Sequence, residues 1–379
     1  VYLAPQHFLF TMAVQKILIN QFLQLAALHL VLDVRSPGEY LHAHIPGAYS
    51  LPLFTDEERK VVGTAYKQQS RKKAIKIGLD YFGIKMRSMV EEVEALMVDV
   101  RSLAKKQLST NTGQPTANII LVHCWRGGMR SAGVAWLLDL YGFKVFTLSG
   151  GYKMYRQWAR SQFDTSWPLT VLGGYTGSGK TLVLQELERT GQSIIDLEGL
   201  ANHKGSAFGA LGEKRQPTQE MFENLLAKKL HLFSETVTTH AGEIFIEDES
   251  QRIGALNIPD SFWKQMRSSR VLFLDIPFEE RLSYLTEEYG IFGKEPMENA
   301  IIRIQKRLGG LETKMAINYL QENNHRECFR ILLKYYDKYY EKGLAARETI
   351  PALIKKITCL EVETKSNIQK LMYEKITAP

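Results

Sequence analysis

Cysteine is scarce in this chain and long apolar runs are missing, and each shortage excludes a class of protein. Three cysteines in 379 residues, Cys124, Cys328 and Cys359, are too few and too scattered for a disulfide framework or a structural zinc site. A reducing, cytoplasmic setting is therefore expected, and no structural metal site. No apolar stretch approaches the roughly 18 residues a spanning helix needs, so no membrane association is expected. Residues 1–19 are apolar, but Pro5, Gln6 and His7 interrupt them and the first cation is Lys16, which is not the pattern of a signal peptide. Internal repeats and low-complexity tracts are lacking too. What is present is an ordinary globular composition, 45% hydrophobic and 23% charged, with enough length for two domains.

The formal net charge of +7 is uneven. Residues 1–160 carry 20 Lys and Arg against 11 Asp and Glu, while residues 161–379 carry 28 against 30. The densest basic segment holds Arg71, Lys72, Lys73 and Lys76. Such a patch suits a polyanion such as RNA, and it also suits a solvated helix face.

Apolar runs at 29–32, 118–122 and 144–148 read as buried strands, separated by helical stretches that include 56–107 and 132–140. A short amphipathic helix is expected from residue 14, ahead of the first strand. Residues 109–117 read as a polar surface loop. A second unit, starting after Trp167-Pro168, has strand candidates at 169–172, 193–197, 243–247 and 270–276, then a largely helical region to 345. Strands alternating with helices predict an α/β protein with parallel sheets. The boundary between the units is expected between Tyr155 and Pro168.

The first chemical signal is His123-Cys124-Trp125-Arg126-Gly127-Gly128-Met129-Arg130-Ser131, between a predicted strand and a predicted helix. A loop closing onto a helix N-terminus points several backbone N–H groups into one concavity that holds an anion. That field, with Arg126 and Arg130, favours the nucleophilic thiolate of Cys124. Gly127 and Gly128 are expected to supply positive φ for the turn. Two chemistries share this design. A phosphatase reads His-Cys-x5-Arg-Ser/Thr and attacks phosphorus, whereas a rhodanese accepts a chalcogen atom on the thiolate. The seven-residue span from Cys124 to Arg130 is that of the phosphatases.

The second signal is Gly174-Tyr175-Thr176-Gly177-Ser178-Gly179-Lys180-Thr181, which fits G-x-x-x-x-G-K-[ST] after a strand and before a helix. Its amides would cradle a diphosphate, Lys180 would neutralise it, and Thr181 would ligate Mg²⁺. ATP, GTP and an organic diphosphate all satisfy such a loop. Glu247 and Asp248, closing a strand run, are the candidates for the acid on the Mg²⁺ side. His203 and Lys204 lie in a glycine-containing loop that suits either a phosphate contact or an ordinary turn. Tyr335, Tyr336, Tyr339 and Tyr340 suit either base stacking or helix packing.

The segment Asp33-Val34-Arg35-Ser36-Pro37-Gly38-Glu39, with His44-Ile45-Pro46-Gly47-Ala48, resembles the rhodanese signature, a fold that cell-cycle phosphatases share. Asp33 and Arg35 read as a structural clamp within it. Taken with the cysteine loop, the phosphate loop, Asn202 to Gly209, Gln216 to Gln219 and Lys306 to Gly310, the chain resembles the tRNA 2-selenouridine synthase family over about residues 14–345. The resemblance implies a rhodanese-like domain at 14–160 and a P-loop domain with a helical C-terminal region at 165–345. Residues 346–379 fall outside it as a tail without an assigned role.

It further implies that the 2-thio sulfur of a wobble uridine in tRNA is S-geranylated from geranyl diphosphate and then replaced by selenium from selenophosphate. Cys124 would be catalytic, with Arg126, Gly127, Gly128 and Arg130 binding the selenophosphate anion beside a thiolate able to take selenium. Gly174, Gly177, Ser178, Gly179, Lys180 and Thr181 would bind the prenyl diphosphate or a nucleotide, and Arg71, Lys72, Lys73 and Lys76 the tRNA backbone. The alternative is a Cys-dependent phosphatase or sulfurtransferase coupled to a nucleotide-binding domain.

Overall fold

The computed structural model describes residues 14–107, 118–240, 242–345 and 353–376. The chain divides between Arg160 and Ser161 into two compact units. The loop expected at 109–117 and most of the apolar N-terminal stretch lie outside the described residues.

The first unit is built on a five-stranded parallel sheet of β1 (Gln15–Ile17), β2 (Leu30–Asp33), β3 (Tyr49–Ser50), β4 (Ile119–His123) and β5 (Lys144–Leu148). The strand order is β1-β5-β4-β2-β3. β4 is apolar without alternation because it is central and buried. The helices are α1 (Ile19–Ala26), α2 (Pro37–His42), α3 (Asp56–Gln68), α4 (Arg71–Gln107), α5 (Met129–Tyr141) and α6 (Gly151–Ser161). Thr55 caps α3 by accepting from Glu58 N at 3.2 Å, while Glu58 returns a bond to Thr55 N, a capping box that starts the helix at its acidic first turn. Phe82, Met89, Val93 and Met97 on α4 join Leu32, Val122 and Leu138 in the core. The helix expected from residue 14 begins only at Ile19. Residues 15–17 form an edge strand on β5 instead, with Ile17 buried and its carbonyl accepting from Ser149 N at 2.9 Å. Three residues are too short for a period to show.

The second unit has a parallel sheet ordered β12-β11-β6-β8-β7. Its strands are β6 (Leu169–Gly174), β7 (Ser193–Ile195), β8 (Ile244–Glu247), β11 (Arg270–Asp275) and β12 (Ile354–Thr358). A two-stranded antiparallel hairpin, β9 (Arg252–Ile253) and β10 (Leu256–Asn257), stands apart from it. The helices are α7 (Lys180–Arg189), α8 (Leu197–Ala201), α9 (Gln219–His240), α10 (Asp260–Ser268), α11 (Phe278–Tyr289), α12 (Lys294–Leu308), α13 (Gly310–Gln321), α14 (His325–Ala345) and α15 (Thr364–Ile376). α11 to α14 make their own core from Leu285, Met297, Ile301, Leu320 and Phe329.

The segment set apart as a tail differs from that expectation. β12 pairs with β11 from Val271 opposite Ile354 to Asp275 opposite Thr358, and Ile368 and Leu371 of α15 pack with Val183, Leu184 and Leu187 of α7. Five residues reading IKKIT carry too little apolar signal to announce a strand, and only the neighbouring β11 makes them one. Among the described residues no helix is long and apolar enough to cross a membrane.

Candidate functional site

The cysteine loop runs from the C-terminal end of β4 to the N-terminus of α5, so Cys124 lies where strand end and helix dipole converge. Cys124 is 3% exposed. Its Sγ accepts from Gly128 N at 3.3 Å and lies 3.2 Å from Ser131 Oγ, which is itself 3.1 Å from the Gly128 carbonyl. Gly127 has φ +63°, as expected, but Gly128 has φ −101°, so one residue in left-handed space suffices for the turn. The loop is closed from the far side by residues after β5. Tyr152 N donates to Cys124 O at 2.8 Å and Lys153 N to Trp125 O at 2.9 Å. A Cβ on Gly151 would stand 2.3 Å from Cys124 O, which is why glycine is required there.

The arginines diverge from the sequence expectation of two cations turned on one anion. Arg126 is exposed. Arg130 Nη1 donates to Glu39 Oε2 at 2.8 Å, and Arg59 Nε approaches the same oxygen at 2.7 Å. Asp33 and Arg35 form the buried clamp that was expected. Arg35 Nε donates to Asp33 Oδ1 at 2.9 Å, Nη2 donates to Ala43 O at 2.7 Å, and the guanidinium lies 3.8 Å above the Tyr152 ring. His123 is fully buried beside Asp33, and that burial lowers its affinity for a proton.

Arg71, Lys72, Lys73 and Lys76 open α4 and are all exposed, while Ala74 turns inward. Arg71 Nη2 lies 3.9 Å from Met129 Sδ, so the basic segment borders the cysteine loop.

The phosphate loop joins β6 to α7. Gly174, Gly177 and Gly179 all have positive φ. Lys180 Nζ donates to Gly174 O at 2.9 Å, and Thr181 Oγ1 donates to Glu198 Oε2 at 3.0 Å. Ser178 Oγ is buried without a hydrogen-bond partner among the described residues, as is Glu247 Oε2. The loop is braced from α11 and α14. Arg281, nearly buried, donates to Thr176 O at 3.1 Å and forms a two-pronged pair with Asp337 at 2.9 and 2.8 Å. Tyr340 accepts from Gly174 N at 3.1 Å and donates to Asp248 Oδ2 at 2.7 Å.

The two acids named from the sequence thus part company. Asp248 is engaged by Tyr340, whereas Glu247 Oε1 accepts from Glu198 N at 2.8 Å. The carboxylate bonded to Thr181 is Glu198, at the start of α8, with Glu249 beside it. Burial first, and the neighbouring carboxylates next, push Glu247 and Glu249 well above the usual carboxylate range, and burial raises Glu198 too. The pair of acids Asp196 and Glu198 after the run Ile194-Ile195 was the available signal, since ligands gather at the C-terminal ends of parallel strands; Asp196 caps α8 and Glu198 faces Thr181.

The remaining candidates hold the unit together. Lys204 pairs with Glu288 at 2.6 Å, and Gly205 sits in left-handed space at φ +65°, which favours glycine there. Gln216 and Gln219 bind the backbone of the β9–β10 hairpin through Ile253, Ala255 and Asn257. Tyr335 and Tyr336 are half-buried against the core of α11 to α14, where Tyr336 accepts from Ala207 N at 3.3 Å, and Tyr340 braces the phosphate loop. Among the described residues no group of three or more His, Cys, Asp or Glu gathers as a metal site.

A family model described as the tRNA 2-selenouridine synthase AAA domain matches residues 167–358, and a rhodanese-like domain model matches residues 18–157. The tRNA 2-selenouridine synthase of Hydrogenovibrio crunogenus is 35% identical over 349 residues, covering 84% of this chain and 90% of that one. Those of Sulfurovum sp. and Bdellovibrio bacteriovorus are 32% and 34% identical, covering 82% and 84% of this chain and 87% and 89% of theirs.

Proposed function

The chain belongs to the tRNA 2-selenouridine synthase family, and from that premise we propose that it replaces the 2-thio sulfur of a wobble uridine by selenium in two steps, one at each anion-holding loop. Membership makes it a transferase whose substrate is tRNA. The division of labour is carried by one observation: the chain holds a buried nucleophile in an amide-lined loop and, separately, a complete phosphate loop.

In the first step the C2 sulfur attacks C1 of geranyl diphosphate. The S–C1 bond forms, the C1–O bond breaks, the N3 proton of the base passes to solvent, and diphosphate leaves into the amides of Gly177 to Thr181. Lys180, which now donates to the Gly174 carbonyl, would exchange that neutral acceptor for a phosphate oxygen and neutralise the leaving charge. A Mg²⁺ would further neutralise the diphosphate. The unpartnered Ser178 Oγ and Glu247 Oε2, with Thr181 and Glu198, fit such an ion, which takes few protein ligands besides phosphate oxygens and water.

In the second step selenophosphate binds at the cysteine loop, where Gly128 N and Ser131 face the sulfur of Cys124, with Arg126 and Arg130 at the rim. S-geranylation makes the C2 sulfur a better leaving group for the incoming selenium. Arg71, Lys72, Lys73 and Lys76 would hold the tRNA backbone beside this loop.

The test is mass spectrometry of nucleosides from 2-thiouridine tRNA incubated with the protein, geranyl diphosphate and selenophosphate. Wild type is expected to convert 2-thiouridine to 2-selenouridine. Lys180→Ala is expected to make no S-geranyl nucleoside, and Cys124→Ser to stop after it. Unchanged nucleosides with intact co-substrates would remove this reading in favour of a Cys-dependent phosphatase or sulfurtransferase.

A further inference from the structure

Selenium in selenophosphate is already at the selenide level of reduction, and phosphorus is at the phosphate level. A thiolate that took selenium from it would have to expel phosphite, moving two electrons onto phosphorus. A thiolate that attacked phosphorus would expel hydrogen selenide with no change of oxidation state. Selenide is also weakly basic, so it departs without a general acid to protonate it.

The cysteine loop fits attack at phosphorus. Its span from Cys124 to Arg130 matches the phosphoryl-transfer spacing. Ser131 follows that arginine, and its buried Oγ stands 3.2 Å from Cys124 Sγ. Its one proton goes to Gly128 O at 3.1 Å in this structure; turned from that carbonyl to a thiolate, the hydroxyl can only be the donor, and a donor on sulfur assists the step in which sulfur is the leaving group.

Resting on the selenotransferase reading above, we propose that Cys124 takes the phosphoryl group of selenophosphate, with Ser131 as the residue that releases it. The S–P bond forms as the P–Se bond of monoprotonated selenophosphate breaks, and the electron pair leaves on selenium, with that proton, as HSe⁻. Water then attacks phosphorus, the P–S bond breaks, phosphate departs, a water proton passes to solvent, and the thiolate is restored. The selenide attacks C2 of the S-geranylated uridine, so that C2–Se forms, C2–S breaks, and the geranyl thiolate leaves with the proton that selenium brought. No outside oxidant or reductant is needed.

The experiment mixes full-length protein with selenophosphate, quenches in acid, and reads intact mass and ³¹P resonance, with the nucleoside assay run on the same preparations. Wild type is expected to yield phosphate, and Cys124→Ser to carry no adduct. Ser131→Ala is expected to accumulate a phosphoryl adduct on Cys124, its hydrolysis slowed about 100-fold. Ser131→Thr, which keeps the hydroxyl, is expected to restore turnover, separating loss of the donor from loss of the fold. A selenium adduct, phosphite as product, or selenium entering tRNA with no phosphoryl adduct in Ser131→Ala would each overturn the proposal. A phosphoryl adduct without any selenium in tRNA would instead overturn the selenotransferase reading and leave the phosphoryl step standing.

Discussion

Arg130 Nη1 lies 2.8 Å from Glu39 Oε2, so the last arginine of the cysteine loop is held by a carboxylate 91 residues earlier in the chain. Glu39 also accepts from Ser36 N at 3.2 Å as part of the box that starts α2. Burial pushes the Glu39 carboxyl up, but Arg130, the Ser36 amide and Arg59 outweigh it and hold the group below its ordinary range. Glu39→Gln keeps the acceptor and removes the charge that competes for Arg130. Affinity of the cysteine loop for selenophosphate or sulfate, measured by calorimetry at low salt, is expected to rise about three- to ten-fold. An unchanged affinity would show that Arg130 does not face the anion. Glu39→Ala, which also removes the cap, is expected to cost about 1 kcal/mol of stability.

The carboxyls beside the phosphate loop predict a pH dependence of opposite sign to the common one. Burial raises Glu198, Glu247 and Glu249, and neighbouring carboxylates raise Glu247 and Glu249 further, so the folded chain holds protons that the unfolded chain has lost. Stability therefore falls as pH rises from the ordinary glutamate value of 4.5 through the raised values. Glu247→Gln, which keeps the acceptor for Glu198 N, is expected to raise the melting temperature at pH 8 and change it little at pH 5. A difference between variant and wild type that is the same at both pH values would refute the assignment.

Arg281 and Asp337 should behave as a coupled pair under the phosphate loop. Their side chains are 4% and 17% exposed, and the guanidinium also bonds the Thr176 carbonyl. Arg281→Met is expected to cost about 3 kcal/mol, much of it from leaving Asp337 without its cation. Adding Asp337→Leu should recover a substantial part, a coupling that chemical denaturation of the two single variants and the double variant would measure. Additive losses would mean that the pair does not act as a unit.

The basic start of α4 makes a claim about salt. Replacing Arg71, Lys72, Lys73 and Lys76 by Gln is expected to lower the slope of log affinity for tRNA against log salt by about 3, with no change in which tRNA is preferred. Fluorescence anisotropy across a salt series reads this directly. A slope equal to that of wild type would place the RNA on another surface.

Local pattern carried much of this molecule. The strand before Cys124, the Gly-x-x-x-x-Gly-Lys-Thr loop and the long helices are each written in consecutive residues, because an apolar run, a glycine at a tight turn and a capping box act over a few positions. The parallel α/β class followed from their alternation. Pairings between distant residues were not legible in this way. Glu198 reaches Thr181, Tyr340 reaches Asp248, and Arg281 reaches Thr176, across separations of 17, 92 and 105 residues. The acid expected at Glu247 or Asp248 was sought next to one strand end, whereas the carboxylate on Thr181 comes from another.

The residues by themselves determined that Cys124 lies in a glycine-containing turn between a strand and a helix and that Lys180 closes a Gly-x-x-x-x-Gly-Lys-Thr loop, since both depend on backbone shape set within eight or nine consecutive positions. Tertiary structure alone decided which side chains face those two groups. It turned Arg130 toward Glu39, set Ser131 against the sulfur, and brought 354–358 onto the sheet. A side chain's partner depends on packing and on which buried polar atoms still need a bond, and those are properties of the folded chain as a whole.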